Sequence, residues 1–100
     1  MKQGVYISEE RANLFRMNVK RILEWLDITQ IQLAEKSGLT AHTMGYLLTK
    51  KEMCKQRIRK ITFNGVMFAL RELILDEFDM FNYEADAVAE IWEIYNRILK

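Results

Sequence analysis

Thr29-Gln30-Ile31-Gln32-Leu33-Ala34-Glu35-Lys36-Ser37-Gly38-Leu39-Thr40-Ala41-His42-Thr43-Met44-Gly45-Tyr46-Leu47-Leu48-Thr49 is the stretch on which the fold turns. Thr29 and Gln32 have the Thr-x-x-Gln spacing of a capping box, in which the hydroxyl and the amide side chain satisfy each other's backbone donors, so a helix begins there. It is short. Gly38 follows Ser37 after about two turns and suits the left-handed position that ends a helix. Thr40 then caps a further helix, about 41–48, that buries Met44, Leu47 and Leu48. The stretch therefore predicts two short helices joined by a turn of three to four residues.

Upstream, Ala12, Phe15, Val19, Ile22, Leu23 and Leu26 recur at helical spacing, with Leu14 and Trp25 widening the stripe. Ser8 is the expected N-cap, and Glu9 and Glu10 complement the positive end of the helix dipole. Downstream, Phe63, Val66, Met67, Leu70, Leu73, Ile74 and Phe78 repeat at the same period, with Thr62 as a cap, and predict a helix over about 63–78. A hairpin competes, because Asn64-Gly65 is a strong turn dipeptide and Arg57 to Phe63 is rich in branched and aromatic residues. The helix is preferred because its period persists for four turns. From Tyr83 to Leu99 a last amphipathic helix places Val88, Ile91, Trp92, Tyr95, Ile98 and Leu99 opposite Glu84, Asp86, Glu90, Glu93 and Arg97. No proline interrupts any of these segments.

One hundred residues, 50% hydrophobic and 29% charged, suit one globular unit and exclude a low-hydrophobicity disordered chain. A single cysteine, Cys54, allows neither an internal disulfide nor a cysteine-rich zinc site and fits a reducing cytosol. Residues 1–10 hold no apolar signal core, and no run approaches the roughly 20 apolar residues of a membrane helix, so a cytoplasmic protein without a membrane partner is expected. The net charge of +1 hides an asymmetry. Residues 1–70 carry 12 Lys/Arg against 6 Asp/Glu, and residues 71–100 carry 3 against 8. Lys50, Lys51, Lys55, Arg57, Arg59 and Lys60 cluster against Glu52 alone, which is either a solvated face or a binding strip.

Gln30 to Thr49 resembles the helix-turn-helix of the Cro and lambda-repressor-like, or Xre-type, regulators. The string Leu33-Ala34-Glu35-Lys36-Ser37-Gly38-Leu39-Thr40 is its most specific part. Ala34 is small where two helices cross, Gly38 makes the turn, and Leu33, Leu39, Met44 and Leu47 close the core between them. The resemblance is good over about residues 16–49, looser to about 75 and absent beyond. It departs from the family at Met44, which replaces a branched aliphatic residue, and at Gly45 inside the second helix. The longer basic segment 49–61 replaces the family's usual short loop. The resemblance implies an all-α, five-helix lambda-repressor-like domain with an acidic amphipathic C-terminal helix. Residues 1–78 would form the DNA-binding part, and 79–100 a C-terminal helix, a dimerisation element of the same unit.

The same resemblance implies sequence-specific binding of double-stranded DNA, with the second helix of the pair entering the major groove by its N-terminal half. Ala41, His42, Thr43 and Tyr46 would then face base edges, and Gln30 would stand at a phosphate. The chemistry is apt: an imidazole donates to guanine, and a methyl group contacts thymine. Each has a plain alternative, His42 as an exposed histidine, Tyr46 as a core ring and Gln30 as a helix start. Lys50, Lys51 and Lys55, followed by Arg57, Arg59 and Lys60, would run along the sugar-phosphate backbone and supply affinity rather than sequence choice.

The stripe Val88, Ile91, Trp92, Tyr95, Ile98 and Leu99 has two destinations, the chain's own core or the same helix of a second subunit. The second is preferred, because paired subunits reach half-sites about 34 Å apart. One histidine and one cysteine build neither a nucleophile-base pair nor a His/Cys metal cluster, so no enzyme, cofactor or metal is expected. Two function classes remain. One is a small transcriptional regulator, a repressor of phage or mobile-element type that occupies an operator as a homodimer. The other is an interaction module that uses the same fold to bind a protein partner, as an antirepressor, an antitoxin or an anti-defence inhibitor.

Overall fold

Ser8 Oγ accepts a hydrogen bond from the Arg11 amide, and Glu9 and Glu10 fill the turn that follows, so helix α1 (Glu9–Leu26) starts where the sequence places it. The structure, a computed structural model, describes residues 5–49 and 57–100. Those residues form four further helices: α2 (Gln30–Ser37), α3 (Ala41–Leu48), α4 (Lys60–Met80) and α5 (Ala85–Leu99). Among them the architecture is all-helical, with one isolated antiparallel bridge between Tyr6 and Arg59.

The ends of the first two helices share one device. Asp27 sits in the left-handed region (φ 55°), its amide donating to the Glu24 carbonyl, and the Ile28 amide reaches back to the Leu23 carbonyl at 2.9 Å. Gly38 (φ 75°) ends α2 in the same way, its amide donating to Glu35 and the Leu39 amide to the Ala34 carbonyl at 2.9 Å. These bonds satisfy carbonyls that the helix end would otherwise orphan. The capping box at Thr29 and Gln32 forms in both directions. Thr40 Oγ1 accepts from the Thr43 amide and starts α3.

The core runs through all five helices. Ala12, Phe15, Val19, Ile22, Leu23 and Leu26 of α1 meet Leu33 and Ala34 of α2, Met44 and Leu48 of α3, and the inner faces of α4 and α5. Leu39 and Leu47 are only partly buried, and Leu48 holds the deep position at the end of α3. Leu14 and Trp25, expected to widen the α1 stripe, remain 40% exposed, and Arg16 and Asn18 are buried instead. α3 and α5 both pack on α1 and cover its flanks, so polar residues there need internal partners. Asn18 finds one by donating to the Leu14 carbonyl one turn back.

α4 is a helix and not a hairpin, and Asn64-Gly65 lie inside it. It begins at Lys60, three residues before the sequence-based start, and Thr62 does not cap it. Residues 5–7 run beside 58–60: the Ile7 amide donates to the Ile58 carbonyl (2.9 Å) and the Lys60 amide to the Val5 carbonyl (2.7 Å). That second bond satisfies a first-turn donor as a side-chain cap would, which is why Arg59 can precede the helix without capping it. The pairing is non-local, so helical periodicity alone cannot reveal it.

α5 begins at Ala85 rather than Tyr83, because Tyr83 stays in the connection and donates its hydroxyl to Glu77 Oε1 at 3.0 Å. The helix lies along α1. Arg11 donates its guanidinium to the carbonyls of Ile98, Leu99 and Lys100, tying the last turn of α5 to the start of α1. Tyr95 Oη donates to the Met67 carbonyl at 2.9 Å, and edge-on aromatic contacts link Phe78 to Tyr83 and Trp92, and Trp92 to Tyr95. Of the two destinations open to the α5 stripe, the chain's own core takes most of it. Ile91, Tyr95 and Ile98 are buried within the chain itself, Val88 and Trp92 are half-buried, and only Leu99 is exposed. The physical reason is size, since five helices in 100 residues have few apolar faces to leave uncovered.

Candidate nucleic-acid interface

The residues expected to face bases lie together on the outer surface of α3. Ala41, His42 and Thr43 are exposed, and Tyr46 is 37% exposed, so its ring is not in the core. One helical turn separates His42 from Tyr46, and their rings stack with centroids 6.4 Å apart and planes 19° from parallel. The Thr43 hydroxyl lies 2.9 Å from Thr40 Oγ1, which makes it part of the cap as well as of the surface. α3 carries no carboxylate, lysine or arginine, so its outer face offers hydroxyl, imidazole, phenol and methyl groups.

Three elements hold this face in place. Thr40 caps the start of α3, Met44 and Leu48 bury its inner side, and Arg16 of α1 donates Nε–H to the Leu47 carbonyl at 3.1 Å. A guanidinium at a helix C-terminus complements the negative end of the dipole as well as an orphan carbonyl. Sequence reasoning missed Arg16. The available signal was its register, four residues after Ala12 and seven before Leu23, inside the apolar stripe of α1. Gly45 is half-buried, and an added Cβ there would meet nothing within 4 Å, so no contact among the described residues requires the glycine.

Gln30 is exposed at the first position of α2, beside exposed Ile31. Arg57, Arg59 and Lys60 are exposed at the start of α4, where the 5–7 pairing fixes the backbone and the Arg57 guanidinium sits 5.5 Å from the centre of the Tyr6 ring. Lys50, Lys51 and Lys55, together with Cys54, lie outside the described residues. The structure thus brings the four base-facing candidates onto one helix face and places three of the six basic candidates on a second element.

Elsewhere the surface offers an open groove of about 260 Å³ between α1 and α5, lined by Arg21, Asp86, Glu90, Glu93, Arg97 and their neighbours. It carries three carboxylates and two guanidinium groups, and Arg97 pairs with Glu93 at 2.9 Å. Among the described residues no group of three His, Cys, Asp or Glu side chains could hold a metal ion, and no helix is long and apolar enough to cross a membrane. The phenols of Tyr95 and Tyr83 are both pushed above the usual tyrosine value by burial, Tyr83 further by its bond to Glu77. Compared with known proteins, the chain matches no family model, no curated protein and no solved structure.

Proposed function

We propose that the chain is a sequence-specific double-stranded DNA-binding regulator of the lambda-repressor-like helix-turn-helix type, acting by occupying an operator. The observation that carries the reading is the outer face of α3: Ala41, His42, Thr43 and Tyr46 are exposed on a helix capped at Thr40 and braced by Arg16. A helix presented by its first turn and a half, with no carboxylate on it, meets the steric and electrostatic needs of entry into a major groove. His42 supplies the donor for a guanine edge, Ala41 and Thr43 methyl or hydroxyl contacts, and Tyr46 orients His42 by stacking. Gln30, Arg57, Arg59 and Lys60, with Lys50, Lys51 and Lys55, supply phosphate contacts. The acidic balance of residues 71–100 belongs on the side away from the DNA.

The test is selection of bound duplexes from a random library, repeated with His42→Ala and Lys51→Ala. His42→Ala relaxes base preference, whereas Lys51→Ala weakens all duplexes about equally and makes the log affinity versus log salt plot shallower by about 0.9. If all six basic residues engage phosphate, the wild-type slope is about −5 per subunit. Uniform loss in both variants removes His42 from the reading set, and a salt-insensitive, unselective wild type refutes the proposal. A second reading, a protein-binding module, draws on the exposure of the apolar Ile31 next to Gln30 on α2. It predicts that Ile31→Asp abolishes binding to a protein partner while DNA selection from the library fails.

A further inference from the structure

We propose that two copies of this chain associate through the outward face of α4, antiparallel and centred on Phe68. Ile61, Phe68 and Leu75 follow one another at seven-residue intervals, so they align on one side of the helix, opposite the buried Phe63, Val66, Met67, Leu70 and Ile74. Within the chain they are 77%, 62% and 38% exposed. Gly65 lies on the same side between Ile61 and Phe68, with open space around the position of a Cβ, and leaves a notch where a second backbone can approach. A helix that is apolar on its outer as well as its inner side is suited to burial on both.

Charge selects the occupant and its direction. Arg57, Arg59 and Lys60 gather at the N-terminal end of α4, while Glu72, Asp76, Glu77 and Asp79 outnumber the single Arg71 on its C-terminal half, with Asp76 in a long, exposed contact (3.9 Å) with Lys36. A parallel copy would set like charges against like. An antiparallel copy, related by a two-fold axis through Phe68, sets each basic end beside the acidic end of its partner and opposes the two helix dipoles. In that register Ile61 meets Leu75 of the partner subunit, and Phe68 meets its own equivalent. The face is self-complementary in both apolar pattern and charge, as an isologous dimer requires. α5 cannot serve, because its stripe is occupied within the subunit.

This inference does not depend on DNA binding, and its readout is mass. Sedimentation of the full chain from about 1 to 100 μM is expected to show a dimer, and Phe68→Asp a monomer that keeps its helical circular-dichroism signal while its melt loses the concentration dependence of the wild type. Arg59→Glu with Lys60→Glu, and separately Asp76→Lys with Asp79→Lys, each weaken self-association about tenfold by turning attractions into repulsions. An equimolar mixture of these two variants recovers dimerisation, because each then offers the end that complements the other. A wild type that remains monomeric at about 100 μM overturns the proposal, whatever else covers the stripe. So does a dimer indifferent to Phe68→Asp, or a mixture that associates no better than its components.

Discussion

Replacing Arg16 with methionine removes a buried guanidinium that reaches from α1 to the Leu47 carbonyl at the end of α3, and leaves most of the aliphatic stem in place. The residue is 7% exposed, and its Nε–H to Leu47 bond is 3.1 Å long. A hydrogen bond from a charged donor contributes about 1.5–3 kcal/mol. Charge complementing a helix C-terminus adds about 0.3–1 kcal/mol. Apolar replacement of a buried cation recovers part of its desolvation, so the net destabilisation should be about 2 kcal/mol. For a domain of this size that lowers Tm by roughly 8–16 °C. Urea melts followed by circular dichroism at constant protein concentration measure it, with Arg16→Lys as a control that keeps the charge and loses the planar donor. A methionine variant within about 0.5 kcal/mol of wild type, inside the range of an ordinary surface substitution, would refute the claim that Arg16 braces α3.

Two glycines should respond in opposite directions. Gly38→Ala forces a Cβ into the left-handed region at φ 75° and is expected to cost about 1–2 kcal/mol, whereas Gly45→Ala, in a helix with nothing near the new methyl, should add about 1 kcal/mol. Chemical melts that order the two the other way would contradict the assigned backbone. Alkaline pH gives a separate test. Burial raises the folded-state pKa of Tyr95, against a weaker opposing effect of the Arg71 charge, above its ordinary 10.0. The neutral phenol is thus favoured by folding, and this contribution is complete below pH 10.0 and is lost as pH rises from there through the folded-state value. Tyr95→Phe should lower stability at neutral pH by about 1 kcal/mol through the lost bond to Met67, and flatten the alkaline decline. A variant that declines as steeply as wild type above pH 10.0 would remove Tyr95 as its source.

Local chemistry wrote the helix ends near the candidate site plainly. Ser8, Thr29, Gln32, Gly38 and Thr40 act through hydrogen bonds or backbone angles that span at most a few residues, so spacing alone located α1, α2 and α3. The period of Phe63 to Phe78 likewise outweighed the Asn64-Gly65 turn signal, because turn chemistry cannot act where both flanks bury an apolar face in helical register. What periodicity cannot state is which neighbour covers a face. Trp25 and Ile61 are as apolar as Ile91, yet the first two meet solvent and the third meets α1 and its surroundings.

The amino-acid sequence by itself determined α1, α2, α3 and α5 and the turn at Gly38, because capping and amphipathic period are short-range properties, and it favoured a helix over a hairpin for α4; the outward set Ala41, His42, Thr43 and Tyr46 was an expectation from the resemblance alone. Only the tertiary structure decided that Arg16 turns inward to Leu47, that residues 5–7 start α4 through Val5, and that the α5 stripe closes on its own chain while part of α4 stays uncovered. Those outcomes depend on contacts between residues far apart along the chain, where a polar group is tolerated only if a distant partner arrives and an apolar face is buried only if another element reaches it.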